Sequence, residues 1–96
     1  MSAPICFDVL VAEDVEDQLN LFTEILILAG YAVHGVSTAD DALATLRTSD
    51  VGLLVTDIKL GPTMNGFELA DLAQSIQPSL QALFIRAPRK TPASLA

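Results

Sequence analysis

The sequence has one cysteine, no tryptophan, one tyrosine and only five basic residues against twelve acidic ones among its 96 residues. A lone Cys6 excludes an internal disulfide, fits a reducing compartment and is assigned to core packing. The shortage of positive charge, a formal net of −7, argues against nucleic-acid binding, because neutralising phosphates takes a basic surface. Long hydrophobic runs are also missing. The longest, Ile25 to Ala29, is far too short to span a bilayer, so no membrane contact is expected. The opening Met1 to Cys6 has neither the cationic start nor the apolar stretch of a signal peptide. Together these absences predict a soluble, cytoplasmic protein.

What remains is apolar and acidic. Hydrophobic residues make up 51% and charged residues 18%, too apolar for disorder, and the length suits one small domain. The charge is uneven. Arg86, Arg89 and Lys90 hold three of the five cations, so residues 1–85 set twelve acids against Arg47 and Lys59, a net of −10. A domain over 1–86 followed by a basic tail over 87–96 is expected.

Ile5 to Ala12 is an almost wholly apolar run rich in β-branched residues, ending abruptly in Glu13-Asp14, and reads as a strand buried on both faces. From Val15 to Ala29, Leu19, Phe22, Leu26 and Ala29 recur at helical spacing before Gly30. Leu21, Ile25 and Leu28 add a second stripe, wider than contact with one sheet requires. Tyr31 to Val36 reads as a strand, and Ser37-Thr38 caps a helix that runs to Thr48. Val51 to Thr56 is a third strand, closed by Asp57. The turn formers of Gly61 to Gly66 then lead into a helix through Phe67, Ala70, Ala73 and Ile76 that stops before Pro78. Leu80 to Ile85 makes a fourth strand.

The order β-α-β-α-β-α-β gives a parallel α/β sheet with right-handed crossovers and helices on both faces. Ligands of such sheets bind beyond the carboxyl ends of the strands, where Glu13, Asp14 and Asp57 all fall. If the first and third strands are neighbours, the three carboxylates meet. Like charges held close raise one another's pKa unless a cation intervenes, and oxygen-only ligands select a hard ion such as Mg2+. A carboxylate beside such an ion is also a competent nucleophile toward phosphorus.

Val9-Leu10-Val11-Ala12-Glu13-Asp14, Leu53-Leu54-Val55-Thr56-Asp57-Ile58-Lys59-Leu60 and Met64-Asn65-Gly66-Phe67-Glu68-Leu69, in this order and spacing, resemble the receiver domain of two-component response regulators. The resemblance covers roughly residues 5–86. It implies a three-layered, doubly wound, flavodoxin-like sheet of strand order 2-1-3-4. Asp57 would be the phosphoacceptor, served by a sensor histidine kinase or phosphotransfer protein. Glu13, Asp14 and Asp57, with the backbone carbonyl of Lys59, would hold Mg2+. Where the family has a Thr or Ser at the end of the fourth strand, this sequence has Arg86, which is expected to pair with the acidic cluster when no metal is bound. The family's fifth strand, with its Lys, and its last helix have no counterpart, so the sequence reads as a receiver truncated after the fourth strand.

Three readings follow. The first is a phosphoacceptor module rather than a turnover enzyme. The second is a degenerate receiver that binds partners without phosphorylation. A haloacid-dehalogenase-like phosphatase is third, disfavoured because Lys59 stands where a second Asp belongs. With no last helix to pack beside the first, the stripe of Leu21, Ile25 and Leu28 predicts self-association. His34, in a short strand, is expected to be a surface or edge residue.

Overall fold

A computed structural model describes residues 8–62 and 64–86. The elements run β1 (Asp8–Ala12), α1 (Glu16–Leu28), β2 (Ala32–Val36), α2 (Ala39–Thr48), β3 (Val51–Asp57), α3 (Gly66–Ile76) and β4 (Gln81–Ile85). The expected first residues of β1, Cys6 and the basic tail lie outside the described residues.

All four strands are parallel, in the order β2-β1-β3-β4, the flavodoxin-like α/β arrangement. β1 and β3 are central and apolar; β1 is covered on both faces, and β3 fully on one face and in part on the other. Alternation along them sorts the core in two. Leu10, Ala12 and Leu54 pack beneath α2 and α3 with Ala42, Leu46, Leu69 and Ala73. Val9, Val11 and Val55 face Leu19, Phe22 and Leu26 of α1. The two layers differ in completeness. α2 lies against β1 and β2, and α3 against β3 and β4, whereas α1 covers β2 and β1.

Local chemistry explains the helix ends. Thr38 caps α2 by accepting from the Asp41 amide at 3.1 Å. Asn65 and Glu68 exchange side-chain-to-backbone bonds of 2.9 and 3.0 Å at the start of α3, a reciprocal pair that satisfies two amides. α1 ends at Gly30, whose φ of 101° is costly for any residue with a Cβ. At the amino end of the strands, the Gln77 side chain accepts from the Val51 amide at 2.9 Å and donates to the carbonyls of Leu46 and Ser49 at 2.7 Å each. One side chain thereby joins the ends of α2 and α3 to the start of β3.

Candidate functional site: an acidic cluster at the carboxyl edge of the sheet

The register decides the site. Ala12 of β1 pairs with Thr56 of β3, so the next residue along each strand, Glu13 and Asp57, emerges side by side. One carboxylate oxygen from each of Glu13, Asp14 and Asp57 lies within 4.8 Å of the other two. Glu13 and Asp57 are buried and Asp14 is exposed, so the cluster opens to solvent through Asp14.

Backbone donors hold these side chains in place. Oε2 of Glu13 accepts from the Val15 amide at 2.9 Å, and Oδ1 of Asp57 accepts from the Lys59 amide at 3.1 Å. The chain leaves β3 through Ile58, whose amide donates to the Ile85 carbonyl, and returns when Gly66 donates to the Ile58 carbonyl at 2.8 Å. Gly66 is obligatory for a spatial reason. A Cβ there would overlap the Asp57 carbonyl oxygen and approach the Asp57 carbonyl carbon at 3.1 Å and the Ile58 Cα at 3.2 Å.

The second oxygen of Glu13, Oε1, is buried and has no hydrogen-bond partner. The Glu13 pKa is raised from 4.5 to about 7, first by burial and then by the neighbouring Asp14 and Asp57 carboxylates, against the lowering effect of the Val15 amide. A buried acceptor without a donor, beside two further carboxylates, is the environment a hard divalent cation satisfies. The donor set therefore fits Mg2+.

The cluster forms as the sequence predicts. Lys59 lies two residues beyond Asp57, exposed, on the loop between β3 and α3. Arg86 departs from expectation. It follows β4 and is exposed, and among the described residues no ion pair joins it to Glu13, Asp14 or Asp57. Its long side chain is free to remain in water, where a guanidinium keeps its hydration. A cavity of about 270 Å3 adjoins Asp14, walled by Thr38, Asp40, Leu60, Pro62 and Met64. A larger hollow of about 960 Å3 lies by Leu46, Val51, Gln77 and Leu80 at the amino end of the strands, remote from the acids.

The sequence model of one family, described as "Response regulator receiver domain", matches residues 9–94. The chain belongs to this family. It is 38% identical over 77 residues to the response regulator receiver protein CpdR of Brucella abortus, a match covering 80% of this chain and 63% of that protein's length. The chain thus spans less than two thirds of this receiver relative. A CheY-like receiver domain protein of Methanospirillum hungatei has the same fold with a TM-score of 0.78 and 28% identity, over 93% of this chain and 70% of the other. A Burkholderia pseudomallei response regulator, solved with a phosphorylated aspartic acid, a calcium ion and citrate, shares the fold at a TM-score of 0.77 and 22% identity, over 93% of this chain and 52% of the other.

The sequence reading missed three features of this receiver. The Gly66 contact and the Asn65 and Glu68 exchange were visible only as a cluster of turn formers. His34 lies on the edge strand β2, as expected, but its Nε2 is 2.8 Å from Oδ2 of Asp8 on β1, a contact the sequence reading did not include. Alternation in each strand carried that signal, because Asp8 and His34 both occupy positions on the α2 face.

Proposed function

We propose that this receiver accepts a phosphoryl group on Asp57 from the phosphohistidine of a sensor kinase or phosphotransfer protein, with Mg2+ held by Glu13, Asp14, Asp57 and the Lys59 carbonyl. The observation that carries the reading is the convergence of the three carboxylates, together with a buried, unsatisfied Oε1 on Glu13. When bound, the ion supplies positive charge that offsets repulsion between the carboxylates and the incoming phosphoryl oxygens. The chain's own residues do the positioning. The Lys59 amide orients the Asp57 carboxylate by binding Oδ1, and a carboxylate oxygen of Asp57 is the attacking atom. A bond forms from that oxygen to phosphorus as the bond from phosphorus to the donor imidazole nitrogen breaks, and the electron pair departs with the imidazole. Burial of Asp57 within strand and loop keeps bulk water from competing. The module is a signalling switch and not a turnover enzyme, and it acts in the cytoplasm.

The exposed Arg86, at the position of the family's Thr or Ser, favours a second reading in which the domain binds partners without being phosphorylated. One experiment separates the two. Incubation with acetyl phosphate and Mg2+ should add one phosphoryl group, stable in acid and labile in base, that is absent from Asp57→Asn. An unmodified intact mass after prolonged incubation would leave the second reading standing.

A further inference from the structure

Three polar residues are buried among the described residues: Glu13, Asp57 and Thr56. The first two belong to the acidic cluster. Thr56 is fully buried in β3, in register between Ala12 of β1 and Phe84 of β4. Alternation with Leu54 places it on the apolar layer beneath α2 and α3, where both of those neighbours also pack. A valine has nearly the same shape and would suit that layer without a polar atom. A buried hydroxyl is unfavourable there unless it is hydrogen-bonded. The bond it makes is directed at the site, since Oγ1 donates to the carbonyl oxygen of Asp57 at 3.0 Å.

That carbonyl belongs to the peptide unit joining Asp57 to Ile58, and the unit is held at both ends. Thr56 binds its oxygen, while its N–H, on Ile58, donates to the Ile85 carbonyl at 3.1 Å. Gly66 closes over the same oxygen, because a Cβ at Gly66 would overlap it. Once a peptide plane is fixed, only the flanking single bonds remain to direct the chain. Lys59 is the next residue beyond Ile58, and its amide donates to Oδ1 of Asp57 at 3.1 Å. The orientation of this one peptide therefore governs both the tether on the Asp57 carboxylate and the place where the Lys59 carbonyl emerges.

We infer that Thr56 is a positioning residue of this site: its hydroxyl fixes the peptide joining Asp57 to Ile58, and through it the Asp57 carboxylate and the Lys59 backbone. As regards Mg2+ affinity the inference rests on the proposed metal site; as regards the tether from Lys59 to Asp57 it stands without a metal.

Two variants of the full chain separate positioning from packing. Thr56→Val keeps the buried volume and loses the hydroxyl, whereas Thr56→Ser keeps the hydroxyl and loses a buried methyl. A role in packing alone would leave Mg2+ affinity unchanged in both, with Thr56→Ser the less stable in urea. Positioning gives a different order. Thr56→Val should weaken Mg2+ binding about tenfold in a calorimetric titration, the usual effect of removing a group that orients a metal ligand. Thr56→Ser should stay within about twofold of the wild type, because it carries the same donor. Nuclear magnetic resonance with EDTA present reads the tether directly. The Lys59 amide proton, deshielded by its bond to Oδ1, should move upfield in Thr56→Val and keep its position in Thr56→Ser. An unmoved Lys59 resonance together with wild-type Mg2+ affinity in Thr56→Val would overturn the inference, as would equal losses in the two variants. A flat Mg2+ titration of the wild type would refute the proposed metal site instead, and the Lys59 resonance alone would then decide the role of Thr56.

Discussion

Replacing Glu13 by Gln should stabilise the metal-free protein at pH 8 and change it little at pH 5. Burial and two neighbouring carboxylates raise the Glu13 pKa to about 7 in the folded state, against 4.5 for the unperturbed group. The folded protein therefore binds more protons than the unfolded chain between those values, and stability falls as pH rises through the interval. The contribution of this group is fully present below pH 4.5 and lost above pH 7. At 1.36 kcal/mol per pH unit, the gap corresponds to about 3 kcal/mol at pH 8 and under about 1 kcal/mol at pH 5. Gln keeps an acceptor for the Val15 amide and adds an N–H that can donate to the adjacent carboxylates, while carrying no charge at either pH. Urea unfolding of both proteins at the two pH values, with EDTA present, isolates the term, since every other titrating group is common to both chains. A gain at pH 8 no larger than at pH 5 would refute the reasoning. Mg2+ should then reverse the order at pH 8 by stabilising the wild type more than the variant.

Four further outcomes are expected. Asp14→Ala and Asp57→Ala should each weaken Mg2+ binding at least about tenfold in a calorimetric titration, because each removes one of the three converging carboxylates. Arg86→Ala should leave Mg2+ affinity within about twofold, as expected of a solvated side chain with no ion pair to the cluster; a large change would mean that Arg86 reaches the acids in solution. Gly66→Ala should cost about 2 kcal/mol or more in thermal or urea unfolding, because its Cβ meets backbone that no rotamer change can move. Gln77→Leu should cost about 2–4 kcal/mol, since the Val51 amide loses its partner in a buried setting and two carbonyls lose theirs.

The parts of this receiver legible from sequence were those encoded by local pattern. Runs of apolar residues ending in Glu13 and Asp57 located β1 and β3, and helical spacing located α1, α2 and α3 to within a residue or two. The excess apolar arc of α1 was legible too, because no single sheet contact accounts for Leu21, Ile25 and Leu28 together. Long-range register was not. Ala12 opposite Thr56 places Glu13 beside Asp57, and nothing in either segment alone specifies that pairing. The same limit hid the bond between His34 and Asp8, 26 residues apart, and the three contacts of Gln77, whose partners begin 26 residues upstream. Arg86 shows the opposite error. Charge attraction argued on paper placed it in the cluster, but a guanidinium at a strand end has water as an alternative partner, and the structure leaves it there.

The Gln77 amide has a consequence for where this protein can move. It fastens the last turns of α2 and α3 to the first residue of β3, at the end of the sheet farthest from the carboxylates. A lever pinned at its heel can swing only at its toe. Charge arriving at Asp57 would therefore be expressed as displacement of the β3 to α3 loop and the first turn of α3, where Asn65, Glu68 and Gly66 form the joint, while the far ends of the helices stay fixed. Amide exchange should record that gradient, with the Val51 proton among the slowest to leave and that of Gly61, in the exposed part of the loop, among the quickest.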